Sequence, residues 1–130
     1  MADPTVAGYA EALFAVAAAE GDSSVVEDEL FRFAQALRSD TDLGSTLADP
    51  GLPVVRRLQV IEDLLGSRAS AVTTALVSMV VGAGRAAELP AIVDAMIERG
   101  AASRNKTVAT VRSAVDLTAD QSERLAAAIN

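Results

Sequence analysis

With 130 residues, half of them apolar, the chain has room for one domain, or for one domain and part of a second. A net charge of −7 argues against general nucleic-acid binding, because phosphate contacts need clustered Lys and Arg. The chain has no cysteine and no histidine, which excludes disulfides, thiolate or imidazole metal sites, and Ser–His or Cys–His nucleophile pairs.

Asp3 before Pro4 predicts a helix start, with an N-cap and then a proline in the first turn, where its missing N–H costs nothing. Val6, Tyr9, Ala10, Leu13, Phe14, Val16 and Ala17 follow at helical spacing, and Gly21 is expected to stop this first helix. Ser24 with Glu27 has capping-box spacing and opens a second helix, whose apolar stripe is Val26, Leu30, Phe33, Ala34 and Leu37. A short third helix around Leu43 and Leu47 ends at the turn signal Asp49-Pro50-Gly51. Pro53 opens a fourth, with Leu58, Ile61, Leu64 and Leu65 inward and Gly66 at its end. Ser70 caps a fifth, and its Val72, Leu76, Val77, Met79, Val80 and Val81 leave almost no polar side. A helix apolar all round is either buried or binds something. A sixth starts near Arg85, with Pro90 in its first turns and Leu89, Ile92, Val93, Met96 and Ile97 at helical spacing up to Gly100.

From Thr107 to Leu117 the pattern changes to alternation rich in Val and Thr, which predicts a strand. Thr118 with Gln121 then has the spacing of a capping box, opening a helix through Leu125 and Ile129. The expected fold is therefore all-α, a six-helix bundle over residues 1–105. One strand and one helix of an incomplete β/α domain come next, over 106–130.

Few residues offer chemistry. Gly82-Ala83-Gly84-Arg85-Ala86-Ala87 has the spacing of a dinucleotide fingerprint, but the residues before it read as helix and Pro90 interrupts the helix after it. It reads as an interhelical turn, and no cofactor is expected. Runs such as Glu27-Asp28-Glu29 or Glu62-Asp63 point around a helix rather than at one atom, so they read as solvated faces. No catalytic constellation and no metal site emerges. The acidic side chains are uneven: residues 1–50 hold ten against Arg32 and Arg38. That half could steer a basic partner, or simply keep the surface solvated. The N-terminus lacks the basic region of a signal peptide. The apolar run Ala71 to Gly84 is short of the roughly 20 residues a bilayer needs, so a soluble, cytosolic chain is expected. Excess apolar surface is the remaining signal: the first helix has two apolar edges, Tyr9, Leu13 and Val16 on one and Val6, Ala10, Phe14 and Ala17 on the other. One edge beside the fifth helix could form a groove for an amphipathic partner helix, or all could be ordinary core.

The opening VAGYAEALFAVA resembles the start of ATP synthase delta subunits and of their mitochondrial relative, the oligomycin-sensitivity-conferring protein. LADPGLPVVRRLQVIEDLL, AGRAAELPAIVDAM and TVATVRSAVDLTADQSERLAAAI are similar, in order, to that family's third-to-fourth helix segment, its fifth-to-sixth junction and its crossover into the C-terminal domain. The basic residue that often precedes the family's tyrosine pair is replaced here by Ala7-Gly8. The family's glycine-rich signature, similar to GD-x-x-x-D-G-S-x-R, does not occur before Asn130.

The resemblance implies a non-catalytic stator component, monomeric when isolated, that holds the catalytic head by binding the N-terminal helix of an alpha subunit. The implied binding face is Tyr9, Ala12, Leu13 and Val16 of the first helix with Val72, Leu76, Met79 and Val80 of the fifth. It also implies a peripheral place at the cytoplasmic face of the bacterial plasma membrane, with no insertion into the bilayer. Contact with the peripheral-stalk b subunit is expected only through the C-terminal part that carries the missing signature. The alternative is a generic helical adaptor that binds another amphipathic helix.

Overall fold

Four of the helices begin where a short polar side chain can take up an orphan backbone N–H. The computed structural model describes the backbone of residues 3–129 and the side chains of residues 3–113. Asp3 accepts from the Thr5 N–H at 2.8 Å to open α1 (Pro4–Glu20). Asp22 accepts from the Ser24 N–H at 3.0 Å to open α2 (Ser23–Ser39). The expected cap at Ser24 is therefore displaced by two residues, because the stronger acceptor lies upstream and leaves both serines in the first turn. Asp40 accepts from the Leu43 N–H at 3.1 Å and opens α3 (Thr41–Ala48). Pro53 precedes α4 (Val54–Leu65) without a side-chain cap. Ser70 accepts from the Thr73 N–H at 3.3 Å and opens α5 (Ala71–Gly82).

The glycine turn after α5 closes that helix. Gly84 has φ 78°; the Arg85 N–H donates to the Val80 carbonyl at 3.1 Å and the Gly84 N–H to the Val81 carbonyl at 3.0 Å. This is the Schellman arrangement, in which a residue with positive φ lets the chain fold back onto the last free carbonyls. A single 3₁₀ turn, Ala86–Glu88, then leads into α6 (Leu89–Ile129), with Pro90 in the first turn as its missing donor requires.

The chain divides into two compact units, Met1–Arg99 and Gly100–Asn130. In the first, α5 packs against α1, α2 and α4. Leu13, Leu30, Leu47, Ile61, Val77, Val80, Val81, Leu89, Ile92, Val93 and Met96 are fully buried, so every helix of this unit contributes to one core. The apolar α5 supplies Thr73, Leu76, Val77, Val80 and Val81 to that core, as a helix with little polar face must. Polar ties fix the periphery. Arg38 of α2 pairs with Asp94 of α6, while Arg99 of α6 pairs with Glu11 of α1 at 3.1 Å and stacks 5.3 Å above the Phe14 ring.

Glu29 of α2 forms the most elaborate polar tie. Its carboxylate accepts from the Ser70 N–H at 2.8 Å, the Ser70 hydroxyl at 2.8 Å and the Thr73 hydroxyl at 2.9 Å. Burial alone would raise its pKa, but the Ser70 and Thr73 bonds, helped by the charge of Arg32, outweigh burial and hold it below the usual carboxylate value. A negative charge at the N-terminus of α5 also complements that helix's dipole.

The second unit departs from the sequence reading. Residues 107–117, expected as a strand, are helical and belong to α6, and Thr118, expected to cap a separate helix, lies inside it. The strand and the incomplete β/α domain expected over 106–130 are not seen among the described residues. A lone strand leaves its backbone N–H and C=O groups without partners, and no second strand exists among the described residues. A helix satisfies the same groups within itself. Thr107 and Thr110 fit that helix by donating their hydroxyls, each at 3.0 Å, to the carbonyls of Ser103 and Lys106 one turn earlier.

Candidate partner-binding groove

The Asp3–Pro4 start fixes the rotational phase of α1. Thr5, Tyr9, Ala12 and Val16 therefore recur along one stripe, one turn beside the buried line of Ala10, Leu13 and Ala17. On α5 the large apolar side chain left outward is Met79, 43% exposed although the fully buried Val80 and Val81 follow it. Where α1 and α5 pack together, Pro4, Thr5, Gly8, Tyr9, Ala12 and Met79 line an open, mainly apolar concavity of about 400 Å³.

The structure divides the eight expected contact residues into three groups. Tyr9, Ala12 and Met79 are brought together in the concavity. Leu13 and Val80 are fully buried and Leu76 is 3% exposed, so these three belong to the core and are not part of the lining. Val16 and Val72 are half-buried outside the lining, with Val72 tucked beneath the turn at Gly21. The sequence reading missed Pro4, Thr5 and Gly8. Helical spacing could have found two of them, since Thr5 precedes Tyr9 by four positions and Gly8 precedes Ala12 by four. A Cβ built at Gly8 meets nothing within 4 Å, so its missing side chain leaves this end of the concavity open.

Charge is sparse at the groove. Arg85 donates to Glu88 at 3.0 Å, and this pairing, with weaker attractions to Tyr9 and Asp3, raises its pKa and keeps it charged. A second concavity of about 350 Å³ opens between α2, α3 and α4, lined in part by Arg32, Phe33, Leu64 and Arg68. Glu29 borders it, but its carboxylate is already engaged by the start of α5.

An open apolar concavity between two helices suits the docking of a partner surface. The family model for the ATP synthase delta (OSCP) subunit matches residues 6–130. The chain belongs to the ATP synthase delta (OSCP) family. Its similarity to named members of the delta family extends over most of its length. The ATP synthase subunit delta of Nocardia farcinica is 38% identical over 129 residues, covering 99% of this chain and 48% of the relative. That of Salinispora tropica is 34% identical over 119 residues, covering 92% and 43%. That of Streptomyces coelicolor is 38% identical over 104 residues, covering 80% and 38%. The chain thus spans about half, or less, of the length of the delta subunits it matches. No solved structure matches it. None of the described helices of this delta-family chain is long and apolar enough to cross a membrane.

Proposed function

We propose that this chain is a non-catalytic stator part of an F-type ATP synthase, holding the N-terminal helix of an alpha subunit in the groove between α1 and α5. The carrying observation is the open apolar concavity lined by Tyr9, Ala12 and Met79, at the position the family resemblance implies. Its task is mechanical. A stator has to resist rotor torque, so the contact needs slow dissociation rather than a reacting group.

The groove's chemistry supports that task. Ala12 and Gly8 allow close approach of a helix, Tyr9 gives a rigid amphipathic wall, and the thioether of Met79 adapts to an irregular partner. Covering these anchors supplies several kcal/mol at about 25 cal/mol per Å² of apolar area. The acidic first fifty residues favour a helix whose apolar stripe is flanked by basic residues. The chain's place is peripheral, at the cytoplasmic face of the membrane. Its link to the b subunit runs through the part of the relatives that lies beyond this sequence.

Calorimetric titration of the chain with a synthetic N-terminal peptide of the cognate alpha subunit tests the reading. One-to-one binding is expected, and it is lost in Met79→Glu while circular dichroism stays unchanged. No binding by the folded chain, or equal binding by Met79→Glu, refutes it.

A further inference from the structure

We propose that Met79 is a peroxide-sensitive site, the one exposed methionine among the described residues, and that its oxidation closes the α1–α5 groove to an apolar helix; this rests on the docking reading above. The chain has no cysteine to compete for an oxidant, and its methionines are Met1, Met79 and Met96. Met1 lies outside the described residues, and Met96 is fully buried in the core. Met79 is 43% exposed as a residue and lines the concavity with Tyr9 and Ala12.

The reaction needs only hydrogen peroxide. The thioether sulfur attacks one peroxide oxygen, an S–O bond forms as the O–O bond breaks, and the second oxygen leaves as water after taking up a proton. Sulfur loses two electrons and the peroxide gains them. The product replaces a soft apolar side chain with a polar, chiral one. In the free chain the oxygen is added to a residue that lines an open concavity and is not among the buried core residues. Under a docked apolar helix it would be covered in a lining whose only other side-chain hydroxyls are those of Thr5 and Tyr9. A polar atom buried without a good partner weakens binding. The same covering protects the sulfur once a helix is docked, so oxidation acts on the unassembled chain, and binding and oxidation exclude each other.

The test treats the 130-residue chain with dilute hydrogen peroxide and maps oxygen uptake by peptide mass. Tyr9 is the single tyrosine and there is no tryptophan, so its emission reports on the groove alone. Calorimetry with the alpha-subunit peptide then compares reduced and oxidised wild type, Met79→Leu and Met96→Leu. Met79 is expected to oxidise before Met96, Tyr9 emission to change, and peptide affinity to fall roughly tenfold or more. Met96→Leu should keep this response, whereas the affinity of Met79→Leu should be the same before and after peroxide. Oxidation of Met96 as fast as Met79, an equal response in Met79→Leu, or an unchanged Tyr9 emission and affinity after Met79 oxidation overturns the proposal. If the reduced chain binds no peptide, the docking reading fails by itself. Tyr9 emission then decides the effect on the groove: a change lost in Met79→Leu supports it, and no change overturns it.

Discussion

Gly8→Leu separates docking from folding more cleanly than any other single change. Gly8 is the fifth residue of α1, exposed, and lines the concavity. In a helix interior glycine is about 0.8–1 kcal/mol less favourable than alanine, and leucine is nearly as good as alanine. Because a Cβ at this position meets nothing within 4 Å, no steric cost offsets that gain. The position is near the start of α1, so we expect about half to one kcal/mol of added stability, a rise in Tm of roughly 3–6 °C for a unit of this size. The same side chain places four carbons in a concavity of about 400 Å³ and competes for space with an incoming helix. Overpacking of this kind costs about 1–3 kcal/mol, so affinity for the alpha-subunit peptide should drop between roughly 5- and 150-fold. Thermal denaturation followed by circular dichroism and calorimetric titration read the two effects separately. A variant that is more stable and binds as well as wild type would show that helices do not dock at this concavity. A variant that is less stable would show that Gly8 is packed in solution.

Three further changes test the architecture. Glu29→Gln removes the charged acceptor from Ser70 and Thr73 and should cost about 1–2 kcal/mol in urea denaturation, allowing for its partial exposure. Because the folded pKa of Glu29 is depressed, its contribution is complete above the unfolded carboxylate value and is lost as pH falls through the lower folded value. The stability difference between wild type and Glu29→Gln should therefore shrink on acidification below about pH 4.3, and an unchanging difference would contradict the assigned hydrogen bonds. Gly84→Ala forces a side chain into φ 78° although nothing crowds it, so a backbone cost of about 1 kcal/mol is expected, and a neutral result would argue against the left-handed turn. Arg38→Ala breaks the exposed pair with Asp94 and should cost less than about 1 kcal/mol, and a larger loss would show that the pair is more than a surface tie.

Most of the helical unit was legible because its signals are local. Asp3-Pro4, Asp49-Pro50-Gly51, Pro53, Ser70 and Gly84 after α5 each fix a helix boundary through one side chain or one dihedral angle. The start of α2 was misplaced because two acceptors competed within three residues, and spacing alone does not rank Asp22 above Ser24. The strand over 107–117 failed for a different reason. Alternation of Val and Thr describes a surface that fits a sheet, but whether a sheet forms depends on partner strands that no local pattern reports. In their absence the self-contained hydrogen bonds of α6 prevail.

The groove was half legible, and the half that was missed reflects how a helix turns. The sequence reading grouped Tyr9, Leu13 and Val16 as one edge, but these positions span an arc wide enough to place Leu13 in the core while Tyr9 reaches the surface. The same holds on α5 for Leu76 and Val80 against Met79. The buried members act on the groove by setting the distance and phase at which α1 and α5 meet. Leu13→Ala or Val80→Ala should therefore cost about 2–4 kcal/mol of stability through the cavity they leave, and any weakening of peptide binding would be a consequence of that loss. A docking effect without a loss of stability should be confined to lining positions such as Gly8, Tyr9, Ala12 and Met79. If Leu13→Ala abolished peptide binding while leaving the unfolding midpoint unchanged, the division between core and lining drawn from burial would be wrong.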